Sequence, residues 1–85
     1  MRPAGRDTEL ELRRFIVDEL LEDRYNGRDP LEIGAVDSLG IEQLVEYIEQ
    51  ELDVRLADEE MSRENFESIP VLAALVDAKR EAAGL

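Results

Sequence analysis

Apolar residues recur at intervals of three and four in three separate stretches of this 85-residue chain, and each stretch predicts an amphipathic helix. The first helix is expected to run from about Thr8 to Arg24, because Thr8 and Glu11 have the spacing of a capping box. Its apolar residues are Leu12, Phe15, Ile16 and Leu20, with Leu10, Val17 and Leu21 widening the stripe. So broad an apolar surface predicts neighbouring elements on more than one side of this helix.

A second helix is predicted from Asp37 or Ser38 to about Leu52, with an apolar stripe beside an acidic one. The apolar stripe contains Ile41, Leu44, Val45, Ile48 and Leu52, and the acidic stripe contains Glu42, Glu46, Glu49 and Asp53. We expect the acidic stripe to face water.

A third helix is predicted from Ser68-Ile69-Pro70 to about Ala82, because serine favours the cap position and proline is tolerated in a first turn. It is expected to bury Val71, Leu72, Leu75 and Val76, and it has Lys79 and Arg80 near its C-terminus, where the helix dipole favours cations.

The connections between these helices are predicted to be short and ordered. The turn formers Asn26-Gly27 and Asp29-Pro30 end the first helix, and Leu31 and Ile33 are expected to tuck under the loop that follows. Val54 and Leu56 are expected to be buried side chains of a loop, and Ser62 is expected to cap a short helical turn that ends at Phe66. The predicted fold is all-α, a small bundle of three main helices plus one short helix.

Length and composition limit what such a bundle can do. A chain of this length forms one domain, residues 1–85, in which we expect residues 1–6 and 83–85 to be frayed. The chain contains neither histidine nor cysteine, so it lacks the commonest general base and any thiolate nucleophile or metal ligand. We therefore expect a protein that is not an enzyme and has no metal site.

The chain is strongly acidic, with 22 acidic residues against 10 basic ones and a formal net charge of -12. Such a surface repels nucleic acid and anionic lipid and attracts proteins that have basic patches. No apolar run approaches the roughly 20 residues of a membrane span, and the N-terminal residues lack the apolar core of a secretion signal. We expect a cytoplasmic monomer that binds neither nucleic acid nor membrane.

The stretch GAVDSLGIEQL, residues 34–44, places a serine where the second helix begins. Ser38 is either a plain helix cap or the point of attachment of a group that the chain carries. Gly34 and Gly40 leave the backbone around the hydroxyl uncluttered, although Gly34 is also explained by a turn. The N-terminus of a helix would stabilise an anion attached to Ser38, and Asp37 could bind a metal ion delivered with a transferase.

The charges around this serine have one sign. No basic residue lies between Arg28 and Arg55, whereas the acidic residues there are Asp29, Glu32, Asp37, Glu42, Glu46, Glu49, Glu51 and Asp53. A solvated helix face usually mixes signs to form ion pairs between successive turns, so this pattern favours a docking surface over general acidity.

The run Ile33-Gly34-Ala35-Val36-Asp37-Ser38-Leu39, the helix after it and the tail EMSRENFESIPVLAALV resemble an acyl or peptidyl carrier protein over nearly the whole chain. The resemblance implies that Ser38 bears 4'-phosphopantetheine, whose thiol would hold an acyl or aminoacyl group as a thioester. It also implies that Asp37 supports this modification. The partner-binding residues implied are Leu39, Glu42, Glu46 and Glu49.

The partners implied are a phosphopantetheinyl transferase, an acyl- or aminoacyl-loading ligase, and a downstream acyltransferase, synthase or tailoring enzyme. The GAVDSL form and the ENFESI stretch are similar to free-standing carriers of polyketide-type or nonribosomal-peptide-type metabolism. Glu42 and Glu46 stand where many relatives have apolar residues, which implies a more basic docking site on the partner.

Two alternatives remain from the residues alone. One is an unmodified acidic helical adaptor in which Ser38 is only a helix cap. The other is a carboxylate site at Asp58-Glu59-Glu60, which lacks the spacing of a calcium-binding loop and predicts weak surface ion binding at most.

Overall fold

The computed structural model of the chain describes residues 4–22, 25 and 27–82, and all regular structure in these residues is helical. Helix α1 spans Ala4–Phe15 and continues directly as a π-helical segment, Ile16–Leu21. Helix α2 spans Ser38–Glu51, a single 3-10 turn spans Asp58–Glu60, and helix α3 spans Ile69–Ala82. The predicted bundle of three main helices plus one short helix is therefore confirmed. No described helix is long and apolar enough to cross a membrane.

Helix α1 begins one turn earlier than the capping-box pattern predicts. It starts at Ala4, so residues 4–6 are helical and the expected cap at Thr8 is wrong. Thr8 is buried, and its hydroxyl donates a hydrogen bond to Oδ1 of Asp77 in α3 at 2.5 Å. This contact joins the first and last helices. Residues 1–3 and 83–85, also expected to be frayed, lie outside the described residues.

The first helix widens after Phe15 into the π-helical segment, which ends at Glu22. Glu22 has a φ of 51°, and its backbone N–H donates to the carbonyl of Val17. Short π-helical segments are rare and depend on packing, so the apolar period did not predict this one. The predicted end of the helix at Arg24 lies outside the described residues.

The core lies between the apolar faces of the three helices. Its buried residues include Leu12 and Ile16 of the first helix, Leu44 and Ile48 of α2, and the α3 residues Ile69, Leu72, Ala73 and Val76. Phe15 stacks on Tyr47 of α2 with ring centroids 4.3 Å apart. The prediction that Leu10 and Val71 contribute to the apolar faces packed in the core is wrong, because Leu10 is 56% exposed and Val71 is 38% exposed. Val71 lies at the margin of the α3 stripe, whereas Leu10 lies about 160° from Leu12 around α1, on the side away from the core.

The connection before α2 is ordered, as predicted. One oxygen of the Asp29 carboxylate accepts hydrogen bonds from the N–H groups of Leu31 and Glu32, and the other accepts from the N–H of Ile69 at 2.9 Å. Asp29 thus joins this loop to the start of α3. Leu31 is buried, but Ile33 is 37% exposed, so its expected place under the loop is wrong.

The segment between α2 and α3 is held by side-chain hydrogen bonds. Val54 and Leu56 are buried within a loop, as predicted. The Lys79 ammonium contacts Oε1 of Glu60 at 2.6 Å, and the same oxygen accepts from the N–H of Ala57. The hydrogen bond from Lys79 lowers the pKa of Glu60 below its ordinary value, and the bond from Ala57 lowers it further. The contact with Lys79 attaches this segment to α3, and the bond from Ala57 closes the 3-10 turn within the segment.

The turn that follows confirms the predicted cap. The hydroxyl of Ser62 accepts a hydrogen bond from the N–H of Asn65 at 3.3 Å. The N–H of Phe66 donates a hydrogen bond to the Ser62 carbonyl, which closes the turn. Ser68 likewise caps α3 by accepting from the N–H of Val71 at 3.3 Å. The regular short helix is the 3-10 turn just before Ser62.

Candidate functional site

Helix α2 is capped by Asp37, and Ser38 is its first helical residue. Asp37 has extended backbone angles, and its Oδ1 accepts a hydrogen bond from the N–H of Gly40 at 2.8 Å. An aspartate in this position satisfies one of the N–H groups that a helix start leaves without a partner. The interpretation of Ser38 as the helix cap is therefore wrong.

The hydroxyl of Ser38 has no structural partner in the part of the chain that the structure describes. Ser38 is exposed, and its side chain forms no hydrogen bond with any described residue. A serine usually stabilises a helix start through its hydroxyl, so an unbonded one contributes little to the fold here. Its oxygen is open to an incoming reagent at the positive end of the α2 dipole.

Gly40 is required by packing. A Cβ atom added at Gly40 would lie 2.8 Å from Cγ1 of Val36 and 3.3 Å from Oδ1 of Asp37. Gly40 is buried, so the expectation that it keeps the backbone open for a partner is wrong. It instead lets the chain before α2 close over the first turn, which positions the capping carboxylate. Gly34 has a φ of 71° with open space around its Cα, which confirms that it serves a turn.

Ser38 borders an open cleft of about 660 Å³ between the first turns of α2 and the segment that precedes α3. The α2 wall includes Ile41 and Glu42, and the opposite wall includes Met61, Arg63 and Phe66. Ile41 and Phe66 are half-buried, whereas Met61 is 43% exposed. The cleft therefore has an apolar surface, acidic groups on the α2 side and a basic group on the other.

The four predicted partner-binding residues lie on one exposed face of α2, together with Ser38. At 100° per residue, Ser38, Leu39, Glu42, Glu46 and Glu49 fall within an arc of about 100°. All five are exposed, and Leu39 is 63% exposed. We call these five residues the α2 face. It extends about 16 Å along the helix and has Ser38 at its N-terminal end.

Two of the three carboxylates on the α2 face have no ion pair within the described part of the chain. Glu42 and Glu46 form no ion pair with a described residue, whereas Oε2 of Glu49 lies 3.7 Å from Nε of Arg55. Arg55 lies in the loop after α2, so this pair is not one between successive turns of the helix. That pair is exposed, and exposed pairs contribute only about 0–1 kcal/mol.

The opposite edge of α2 forms a second, narrower depression against the π-helical segment. A hollow of about 200 Å³ is lined there by residues that include Glu19, Leu20, Leu39 and Gln43. It continues toward Tyr47 and Glu51. Burial raises the pKa of Tyr47, and the negative charges of Glu11 and Glu51 raise it further. This edge of α2 is acidic as well.

Sequence reasoning did not identify Met61, Arg63 and Phe66 as neighbours of Ser38. They lie about 25 positions further along the chain, and no local period connects them to it. The sequence feature that could have pointed to this segment is Arg63, because it is the one basic residue between Arg55 and Lys79. The Asp58-Glu59-Glu60 group has a structural use, since Glu60 is paired with Lys79. No cluster of potential metal ligands occurs among the described residues.

Comparison of the chain with protein-family models and with curated proteins gave no match. The role of Ser38 must therefore be inferred from the chemistry and geometry of the chain itself.

Proposed function

We propose that this chain is a discrete carrier protein, in which Ser38 is the attachment point of 4'-phosphopantetheine. The observation that supports this most directly is the exposed Ser38 hydroxyl, which has no partner among the described residues while Asp37 caps the helix beside it. The exposed hydroxyl oxygen thus lies at a helix start without forming a hydrogen bond to any described residue. When bound, the group would supply a thiol that holds an acyl or aminoacyl cargo as a thioester.

The modification requires one bond to form at Ser38. Its Oγ attacks the phosphorus of coenzyme A that bears pantetheine, the pyrophosphate bond breaks, adenosine 3',5'-bisphosphate leaves, and the serine proton passes to a base of the transferase. Ser38 lies at the first position of α2, so the new phosphodiester is adjacent to N–H groups that favour an anion. The residues around Ser38 fit the group because the hydroxyl borders an open cleft.

Asp37 has two roles in this proposal. Its Oδ1 caps α2 through Gly40 and so holds Ser38 at the helix start. The carboxylate is exposed, so it can also contribute to a metal ion that the transferase brings with coenzyme A. Asp37→Asn separates the two roles, because asparagine caps a helix about as well as aspartate but is a poorer metal ligand.

The partner enzymes of this carrier would contact the α2 face. Leu39 supplies an exposed apolar contact, and Glu42 and Glu46 supply negative charge that has no ion pair among the described residues. A basic surface on a transferase, loading ligase, acyltransferase, synthase or tailoring enzyme would complement this face electrostatically. The resemblance to free-standing carriers places such partners in polyketide-type or nonribosomal-peptide-type metabolism.

A second candidate is an unmodified acidic adaptor, since the exposed α2 face alone would serve such a protein. The adaptor hypothesis explained Ser38 as the cap of α2, but Asp37 has that role in the structure. The adaptor would bind basic partners with equal affinity whether Ser38 is present or replaced by alanine.

The decisive experiment is incubation with coenzyme A, Mg²⁺ and a broad-specificity phosphopantetheinyl transferase, followed by intact-protein mass spectrometry. We expect wild type to gain the mass of one phosphopantetheine and Ser38→Ala to gain nothing. Ser62→Ala is the matched control, because Ser62 lines the same cleft and should not be needed for the gain. An unmodified wild-type chain would favour the adaptor.

A further inference from the structure

Among the described residues that line the cleft beside Ser38, one has a basic side chain. Ser38, Asp37 and Glu42 line it from the α2 side, and Arg63 lines it from the opposite wall. The large apolar side chains of the lining are Ile41 on the α2 wall and Met61 and Phe66 on the same wall as Arg63. Such a surface fits a ligand that has both an anionic group and an extended, mainly uncharged chain.

The fold uses the backbone of Arg63, whose carbonyl accepts a hydrogen bond from the N–H of Phe66. Its side chain is exposed, and the guanidinium forms no ion pair or hydrogen bond with any residue that the structure describes. Arg13 and Arg80 also form no ion pair with a described residue, but of these three arginines Arg63 is the one that lines the cleft beside Ser38. A guanidinium can bind a phosphate group through paired hydrogen bonds, which makes Arg63 suited to an anion that arrives from outside.

We propose that Arg63 binds the phosphodiester on Ser38 and directs the attached arm along Met61 and Phe66. This inference rests on the proposed function and goes beyond it, because it assigns a positioning residue and a resting place for the arm. Asp37 and Glu42 line the same cleft and repel the phosphodiester, whereas Arg63 attracts it from the opposite wall. The phosphodiester and its arm are therefore directed toward the Arg63 wall, and the exposed residues Leu39, Glu46 and Glu49 of the α2 face stay open to partner enzymes.

The expected size of this effect is modest. An exposed ion pair shifts a conformational equilibrium by about two- to five-fold, and apolar contacts with Met61 and Phe66 add to it. The thiol of the arm should therefore react more slowly with a bulky maleimide in wild type than in Arg63→Gln, by about the same two- to five-fold factor. High salt should reduce the difference, because it screens exposed charges.

The test compares the modified and unmodified forms of each protein by two-dimensional ¹H–¹⁵N NMR. In wild type, modification should shift the amide signals of residues 61–66 as well as those around Ser38. In Arg63→Gln the shifts at residues 61–66 should become smaller, by up to the same two- to five-fold factor, and in Arg63→Lys, which keeps the charge, most of the shift should remain. Arg55→Gln is the matched control, because Arg55 is exposed but does not line the cleft.

The outcomes separate this inference from the proposed function. Failure of wild type to gain the mass of phosphopantetheine overturns both. A modified wild type whose signals at residues 61–66 match those of the unmodified form overturns the role of Arg63 alone, and so does an Arg63→Gln variant that behaves like wild type. The Arg63 guanidinium forms no hydrogen bond or ion pair with a described residue, so its variants should fold normally, which circular dichroism can verify.

Discussion

The division of roles between Asp37 and Ser38 leads to a sharp prediction about stability. Replacing Asp37 by alanine removes the 2.8 Å hydrogen bond from the N–H of Gly40 and leaves that donor without its side-chain acceptor. Loss of a capping side chain costs about 1 kcal/mol, within a range of about 0.5–2. For a domain of this size, 1 kcal/mol corresponds to a fall in Tm of roughly 4–8 °C.

Ser38→Ala should behave differently, although the two residues are adjacent. Its hydroxyl forms no hydrogen bond with a described residue, and alanine is the better helix former. The free energy of unfolding should therefore change by less than about 0.5 kcal/mol in either direction. Asp37→Asn should stay within about 0.5 kcal/mol of wild type, because asparagine also caps helices.

Urea and thermal unfolding followed by far-UV circular dichroism measure all three variants under the same conditions. The reasoning is refuted if Ser38→Ala loses as much stability as Asp37→Ala, because the serine would then be a structural cap. It is also refuted if Asp37→Ala is as stable as wild type, since the hydrogen bond to Gly40 would then contribute nothing.

Three further predictions concern packing and charge. Gly40→Ala should lower the free energy of unfolding by about 1 kcal/mol, because the new Cβ would lie 2.8 Å from Cγ1 of Val36. Adding Val36→Ala should make this loss smaller, which a double-mutant cycle can measure. Lys79→Met should have a lower free energy of unfolding than wild type at neutral pH, because it lacks the ion pair with Glu60. This difference should shrink as the pH falls through the lowered pKa of Glu60, since the pair stabilises the fold only while Glu60 is ionised; urea titrations from pH 7 to 3 measure it. Added salt should raise the Tm by screening the carboxylates of the α2 face, and a Tm indifferent to ionic strength would contradict that picture.

The helices could be predicted from the chain because their apolar residues repeat with the period of a helix. Leu44 and Ile48 are buried as their spacing indicates, and α3 ends at Ala82 as predicted. The prediction was wrong where a local pattern had two explanations. Thr8 has the spacing of a capping box, yet its hydroxyl bonds to Asp77, which lies 69 residues away in the chain.

The candidate site was predictable only in part. The exposed acidic face of α2 follows from its sequence period, and so does a helix start near Ser38. Which residue caps that helix depends on backbone angles that aspartate and serine can both adopt, so the sequence left the choice between Asp37 and Ser38 open. Gly40 was misinterpreted because its neighbour Val36 approaches it only in the folded chain.

The amino-acid sequence by itself determined the helical class, the negative charge and the exposed serine-led face, because these depend on composition and on residues within one helix. Only the tertiary structure decided that Arg63 and Phe66 share a cleft with Ser38, and that Asp29 connects the loop to α3. Contacts between residues far apart in the chain arise from the packing of whole helices, and no local period encodes them.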